Sequence, residues 1–154
     1  MSRQNYLHDE PWSQQHRELR IRTRLFDRPR DAMLGGSLHE LLPGSPGFHL
    51  HMHYGCEELF FVVSGTPIFR NGTTEERLAP GDVVYCPQGT AGLHTFTNPT
   101  DEPVRILAVS AGRYPDVVAY PELGHAWVAT RDPDHGPEGP DGGIIARFEL
   151  PAPA

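Results

Sequence analysis

The sequence predicts an all-β protein, and three observations support that prediction. The 154 residues include 16 glycines and 16 prolines, which favour short strands joined by tight turns over long helices. Short apolar segments recur about every ten residues, and turn residues separate them, as is typical of β-sandwiches and barrels. The length suits one domain with a single core. We therefore expect one β-sandwich or barrel.

The first 31 residues are predicted to form an N-terminal arm with an outer strand. Arg20 to Leu25 alternates arginine with smaller or apolar side chains, as in an edge strand that cations protect against further pairing. An arm that binds an anion or a partner is the alternative. A barrel over residues 32–128 would begin near the strand Ser37 to Leu42, which ends at the turn-rich Pro43 to Gly47.

Short strands separated by turn signals fill the rest of the predicted barrel. Asn71-Gly72 is the dipeptide that two-residue hairpin turns favour, because both positions require positive φ. Asn98 to Asp101 supplies another turn. The predicted strands are Phe48 to His53, Leu59 to Val63, Thr66 to Arg70, Thr73 to Leu78, Val83 to Cys86, Leu93 to Asn98 and Val104 to Ser110.

The C-terminal part is predicted to be less regular. Tyr114 to Trp127 is aromatic and interrupted by proline, which suggests an ordered strap over one end of the barrel. Residues 129–154 are expected to contain a flexible loop, rich in proline and glycine up to residue 143, and a last strand from Ile144 to Leu150.

Composition excludes several classes of function. A net charge of −7 and a pI near 5.6 argue against a sequence-independent nucleic-acid binder, which needs a surplus of cations. No segment has the length and hydrophobicity of a membrane span or signal peptide, so we expect a cytoplasmic protein without a membrane partner. Cys56 and Cys86 are expected to be free thiols. All 13 cationic residues are arginine, so lysine chemistry is excluded.

A row of histidines marks the candidate functional region. Successive strand residues point to opposite faces, so His49, His51 and His53 share one face of the strand Phe48 to His53. Phe48, Leu50 and Met52 would form the opposite, apolar face, which needs cover and suggests a homodimer. We expect this strand to form a hairpin with Leu59 to Val63, through a turn near residues 54–56.

The hairpin would bring a carboxylate next to two imidazoles, which indicates a metal site. We predict that His51, His53, Glu58 and His94 bind one divalent transition-metal ion: Mn, Fe, Co, Ni, Cu or Zn. His94 must arrive through tertiary folding. His49 could replace one of these ligands, whereas Glu57 points away from Glu58 and Cys56 lies in the predicted turn. The remaining predictions place His39 on the surface or a dimer face, and His8, His16, His125 and His135 in solvent.

The spacing of these residues resembles the two cupin motifs. The first motif matches at His51, His53, Glu58 and Gly65, except that Ser45 occupies the position of its leading glycine. The second motif matches in the list Gly81, Pro87, Gly89, His94 and Asn98, with four residues instead of two between Gly89 and His94. The resemblance is strongest over residues 32–112. Within the cupins, the chain is similar to a group of small bacterial members.

The resemblance implies a double-stranded β-helix (jelly-roll, cupin) barrel, three histidines and one glutamate on a metal, and often a dimer. It does not imply a substrate. The expected function is a metal-dependent oxygenase, more specifically a dioxygenase, acting on a small organic molecule; the alternative is a cupin that binds or senses a small ligand or sugar without turnover. By alternation or aromatic content, Phe60, Val62, Tyr85 and Phe96 are candidates for the cavity wall.

Overall fold

A computed structural model describes residues 3, 5, 7, 11–29, 32–112, 114–130 and 143–151. Within the described residues, two short 3-10 helices, Thr90–Gly92 and Pro121–Leu123, interrupt a succession of β-strands. Among the described residues, no helix combines the length and hydrophobicity needed to span a lipid bilayer. The strands are β1 (Gln14–His16), β2 (Ile21–Leu25), β3 (Leu34–Leu41), β4 (Met52–His53), β5 (Cys56–Ser64), β6 (Ile68–Arg70), β7 (Glu75–Arg77), β8 (Val83–Cys86), β9 (Thr95–Thr97), β10 (Val104–Gly112), β11 (Asp116–Tyr120), β12 (His125–Ala129) and β13 (Ile144–Glu149).

The strands pair antiparallel in three sheets. The largest has the order β1-β2-β3-β10-β5-β8, the second β13-β12-β11-β4 and the smallest β7-β6-β9. In the centre of the largest sheet, β10 pairs with β3 on one side and β5 on the other. The prediction of an all-β fold is therefore confirmed.

The core lies on the inner face of the largest sheet. Along β10, Val104, Ile106 and Ala108 are buried at alternate positions, as the two-residue period of a strand requires. Phe60 and Val62 of the neighbouring β5 join the same hydrophobic cluster. The sequence alternation thus sets which side of each strand faces the interior.

The predicted hairpin between the histidine row and the strand after it is wrong. β4 pairs with β11, where His53 lies opposite Val118, whereas β5 pairs with β10 and β8. Cys56 consequently begins β5 and does not lie in a turn. The chain passes from one sheet to another between these strands, so closeness in sequence does not make them partners.

The apolar face of the histidine row is covered by the chain itself. Leu50 and Met52 are 4% and 7% exposed, and Met52 packs against Ala119 and Ala126. Phe48 packs against the main core cluster. The argument that this face needs a second subunit is therefore wrong, and the homodimer stays a prediction without that support.

The two ends of the chain also differ from expectation. β2 is not an edge strand, because β1 pairs with its outer side. The segment predicted as a strap, residues 114–127, contains β11 and most of β12 as paired strands. The predicted last strand is present as β13, which pairs with β12. The proposed flexible loop falls mainly on residues 131–142, outside the described residues.

Candidate metal centre

Main-chain hydrogen bonds hold two of the predicted ligands side by side. The amide of His51 donates to the carbonyl of His94 at 3.1 Å, and the amide of His94 donates to the carbonyl of His51 at 2.9 Å. This isolated bridge joins residues 43 positions apart, and the imidazole centroids lie 4.4 Å apart. The tertiary fold thus brings His94 to the histidine row, as the cupin resemblance implies.

The ligand atoms of the other residues converge on the same point. One ligand atom from each of His51, His53 and Glu58 lies within 4.8 Å of the others. The Oε2 atom of Glu58 is 3.5 Å from Nε2 of His53 and 3.3 Å from Nε2 of His94. The fold therefore brings all four predicted site residues together: His51, His53 and Glu58 have a spacing that could hold a metal ion, and His94 adjoins this group through its contact with Glu58.

Hydrogen bonds fix the orientation of all three imidazoles. Nδ1 of His51 donates to the carbonyl of His49, and Nδ1 of His94 donates to the carbonyl of Gly92, both at 2.8 Å. Nδ1 of His53 donates to Oδ2 of Asp116 at 2.6 Å. Because a carbonyl or carboxylate only accepts hydrogen bonds, each Nδ1 carries a proton. In a neutral ring, Nε2 is then left with a free lone pair.

Electrostatics keep the centre in a form suited to cations. Burial, followed by the neighbouring His94 and His53, lowers the pKa of His51 to about 3, so this ring is neutral at physiological pH. Burial opposes ionisation of Glu58, but contact with His94 and the proximity of the other imidazoles outweigh it and lower the pKa of Glu58 to about 2. The centre thus combines a carboxylate with a ring whose lone pair is free.

Two buried atoms of the centre lack hydrogen-bond partners. Nε2 of His94 and Oε2 of Glu58 are both shielded from solvent and unpaired, although they lie 3.3 Å apart. Leaving buried polar atoms without partners costs free energy, and a cation between these two atoms would satisfy both. The residues present therefore fit a metal ion.

The other ligand candidates, His49, Glu57 and Cys56, do not belong to the group of ligand atoms formed by His51, His53 and Glu58. His49 is exposed at the cavity and is not part of the cluster, and Glu57 is exposed on the outer side of β5. Cys56 is buried near His53 and Asp116, and the three could form a metal-binding group of their own. In the structure, however, Nδ1 of His53 donates a hydrogen bond to Asp116 and is not free to bind a metal. Asp116 therefore orients His53 for the centre formed with His51, Glu58 and His94.

A cavity of about 610 Å³ adjoins the centre, and most of its wall is aromatic or aliphatic. Phe60 and Phe96 line it, as the sequence predicts. Tyr85 does not, because it is 55% exposed and lies opposite Leu59 on the outer face of the sheet. Val62 is buried in the core and is not part of the wall. The prediction for these two residues is wrong.

Three histidines predicted to lie on the surface or in solvent line the cavity instead: His16, His39 and His125. His39 projects inward from β3, and His125 begins β12 beside the ring of Trp127, with centroids 5.8 Å apart. The prediction for these three residues is wrong: strand parity and pairing place their side chains inside, which their neighbours in the chain do not reveal. His8 and His135 lie outside the described residues.

Two further residues of the centre, Asp116 and Tyr120, are not predicted from the sequence. Asp116 accepts the His53 hydrogen bond and also that of the Gly55 amide, at 2.7 Å. Burial alone would raise the pKa of Asp116, but these hydrogen bonds lower it below its usual value. Tyr120 stacks on His51 with centroids 5.6 Å apart. Both belong to β11, and only the pairing of β11 with β4 brings them to the site.

Comparison with known proteins agrees with this architecture. The family model described as "Cupin domain" (Cupin_2) matches residues 37–110. A search of curated proteins gives no match. The solved structures include a cupin-superfamily sugar phosphate isomerase of Silicibacter pomeroyi, with a TM-score of 0.63, 24% identity and coverage of 77% of this chain and 68% of that one.

Two more solved structures show how widely the fold is shared. A candidate sugar phosphate isomerase of Acidithiobacillus ferrooxidans has a TM-score of 0.59 and 28% identity, covering 63% of this chain and 62% of that one. The polyketide cyclase RemF of Streptomyces resistomycificus has a TM-score of 0.61 and 20% identity, covering 75% and 83%. Residues 37–110 of this chain therefore form a cupin domain of the Cupin_2 type, within a cupin β-barrel.

Proposed function

We propose that this cupin is a metal-dependent enzyme that binds one divalent transition-metal ion through His51, His53, Glu58 and His94. The observation that carries the proposal is that, among the described residues, Nε2 of His94 and Oε2 of Glu58 are buried without hydrogen-bond partners and lie 3.3 Å apart, beside the ligand atoms of His51 and His53. A cation between these atoms would satisfy both. Three nitrogen donors and one oxygen favour a first-row transition metal over calcium or magnesium.

The chemistry proposed is oxidation of a small organic substrate, as in an oxygenase and, more specifically, a dioxygenase. Four protein ligands on a six-coordinate ion leave about two positions free. When bound, the ion would supply a Lewis-acid or oxygen-activating centre there. The chain's own contribution is to hold the substrate against the aromatic wall formed by Phe60, Phe96 and Tyr120.

The cavity wall favours oxygenation over isomerisation of a phosphorylated sugar, the activity named for two of the structural neighbours. A phosphate group is usually held by arginine, lysine or a helix N-terminus. Among the described residues, no arginine lines the cavity, and the sequence contains no lysine. A mostly uncharged substrate fits this wall better.

The proposed metal can be tested before any substrate is known. Protein made without a nickel affinity tag should contain close to one transition-metal ion per chain by elemental analysis. The variants His51→Ala and Glu58→Gln should lose the ion while keeping the circular dichroism spectrum of a β-protein. Full metal occupancy in both variants would refute the ligand assignment.

The proposed oxygenase activity needs a separate experiment. Anaerobically purified protein loaded with Fe(II) is mixed with small aromatic and diketone compounds, and oxygen uptake is recorded against Glu58→Gln as the matched control. Uptake that depends on both substrate and Glu58 supports the proposal. Saturable binding of a compound without any oxygen uptake would instead support the second candidate, a cupin that senses or carries a small ligand, which a cavity of this size and lining also suits.

A further inference from the structure

We infer that Ser37, held by His39, is a second anchoring point in the cavity and binds a neutral hydrogen-bonding group at the far end of a metal-bound ligand. The inference rests on the proposed function, because the near end of that ligand is taken to bind the metal. The ligand class is a flat, uncharged molecule with a chelating group at one end and a hydroxyl, carbonyl or amide at the other.

The first evidence is a polar network in an otherwise apolar part of the wall. Oγ of Ser37 lies 2.8 Å from Nε2 of His39, and Nδ1 of His39 lies 3.0 Å from Oγ1 of Thr23. Around it, the wall is formed by Leu41 and by Phe48, whose ring centroid is 5.2 Å from that of His39. Burying three polar side chains in such surroundings costs free energy that apolar residues of similar size would not cost.

The second evidence is the hydrogen-bonding capacity that the network leaves unused. A neutral imidazole has one donor and one acceptor, so one of the two hydroxyls donates to His39 and the other accepts from it. Among the described residues, His39 is the only hydrogen-bond partner of the Ser37 side chain. If Ser37 accepts, its own proton is available to a ligand; if it donates, its lone pairs are. Ser37 can therefore meet either a donor or an acceptor.

Only a neutral His39 ring has both a hydrogen-bond donor and an acceptor for the two hydroxyls, and burial keeps the ring neutral. It lowers the pKa of His39 to about 4, against a smaller opposite effect of Glu58 and a further lowering by His16. The ring is consequently uncharged at neutral pH, and a charged ligand group would find no counter-charge at Ser37.

The third evidence is position. Ser37 on β3 and Phe60 on β5 both lie opposite Ala108 of β10, and Glu58 is two residues before Phe60 on the same inner face. Two inter-strand spacings therefore separate the strand of Ser37 from that of the metal ligand, a distance of about 10 Å. The ring of Phe60 lines the same cavity on the side of the metal centre, 4.9 Å from the ring of His94. A flat molecule can span this gap along the aromatic wall.

The test uses chelating probes that differ by one hydroxyl. Benzohydroxamate is compared with 4-hydroxybenzohydroxamate, and 4-methylbenzohydroxamate with 4-(hydroxymethyl)benzohydroxamate, which reaches one atom further. Binding to the Zn(II)-loaded protein is measured by isothermal titration calorimetry, and zinc content is determined for every sample. We expect at least one hydroxylated probe to bind about fivefold tighter than its partner, the gain typical of one hydrogen bond.

In Ser37→Ala this gain should disappear, while the probe without the hydroxyl binds as it does to the wild type. His39→Leu should also lose the gain, and His39→Gln, whose amide can bridge the two hydroxyls, should keep part of it. Ser64→Ala, at the end of β5 and outside the cavity wall, is the matched control and should keep all of it. Equal gains in wild type and Ser37→Ala, or no gain for either pair, would overturn the inference. If the wild type holds no zinc, the proposed function fails instead.

Discussion

Nδ1 of His53 donates a hydrogen bond of 2.6 Å to Oδ2 of Asp116, a residue 63 positions further along the chain. The bond directs the free Nε2 of His53 toward Glu58. Asp116 is 2% exposed and also accepts from the Gly55 amide, so its position is fixed from two sides. The Asp116 carboxylate therefore orients a ligand of the proposed metal centre and is not itself one of the four proposed ligands.

Replacing this carboxylate should weaken metal binding. Asp116→Asn keeps the size of the side chain but removes the charge that makes His53 a better donor to a metal. We expect affinity to fall by about 10- to 100-fold, the range found for such supporting residues. Competition with a fluorescent chelator measures the change. Asp101→Asn, in an exposed turn, is the charge-matched control, and equal affinities for the two variants would contradict the role assigned to Asp116.

His49 should be dispensable for metal binding. Its side chain lies at the cavity but not among the converging ligand atoms, although its carbonyl accepts the hydrogen bond of His51. Because the carbonyl belongs to the main chain, His49→Ala retains it. We expect elemental analysis to find the same metal content as in the wild type and a large loss in His51→Ala. A similar loss in both variants would make His49 a ligand.

Acid should destabilise the metal-free protein, in part through His39. The pKa of His39 is about 4 in the folded state, compared with 6.5 as its ordinary value. Below pH 6.5 the unfolded chain therefore binds a proton that the folded one does not, and stability falls as the pH drops toward 4, by roughly 3 kcal/mol for this residue. Urea unfolding at pH 7 and pH 4.5 measures the loss. His39→Gln cannot titrate, so its loss should be smaller, and an equal loss would exclude His39 as a cause.

The turn before His94 should tolerate no side chain at Gly92. A Cβ atom there would lie 1.7 Å from the carbonyl oxygen of Pro87, so the turn would have to move. The carbonyl of Gly92 also accepts the hydrogen bond that orients His94. We expect Gly92→Ala to cost about 1–3 kcal/mol of unfolding free energy and to weaken metal binding.

Ala91→Ser is the comparison for this substitution, since Ala91 belongs to the same 3-10 helix and is exposed. It should change stability by less than about 0.5 kcal/mol. Thermal unfolding and chelator competition report both effects. If Gly92→Ala melts and binds metal like Ala91→Ser, the turn is more adaptable than its geometry implies.

Local sequence patterns predicted the parts of this protein that depend on neighbours in the chain. The two-residue period places His51 and His53 on one face, and turn residues mark the loop between β6 and β7. That loop spans four residues, 71–74, so the predicted two-residue turn is wrong, and Gly72 has a positive φ, 100°, whereas Asn71 does not. The cupin spacing added His94, which no local pattern connects to the others.

Strand partners were not predictable in the same way. Alternation gives the face of a strand but not the strand beside it, so the wrong hairpin was assigned to β4, and Asp116 and Tyr120 were missed. The prediction that Tyr85 lines the cavity is wrong for the same reason, because alternation does not give the register between β8 and β5. Once Cys86 is known to lie opposite Glu58, parity turns Tyr85 outward with Leu59, but that register is a tertiary fact.

The paired amides and carbonyls of His51 and His94 have a consequence for how an ion would enter and leave. Because the main chain sets the distance between these two residues, their spacing does not depend on an ion to draw them together. An ion then binds to a framework that is already folded, unlike a zinc finger, which orders only around its metal. Exchange of one ion for another should proceed without unfolding, and the metal found in the protein will follow the supply at the time of loading.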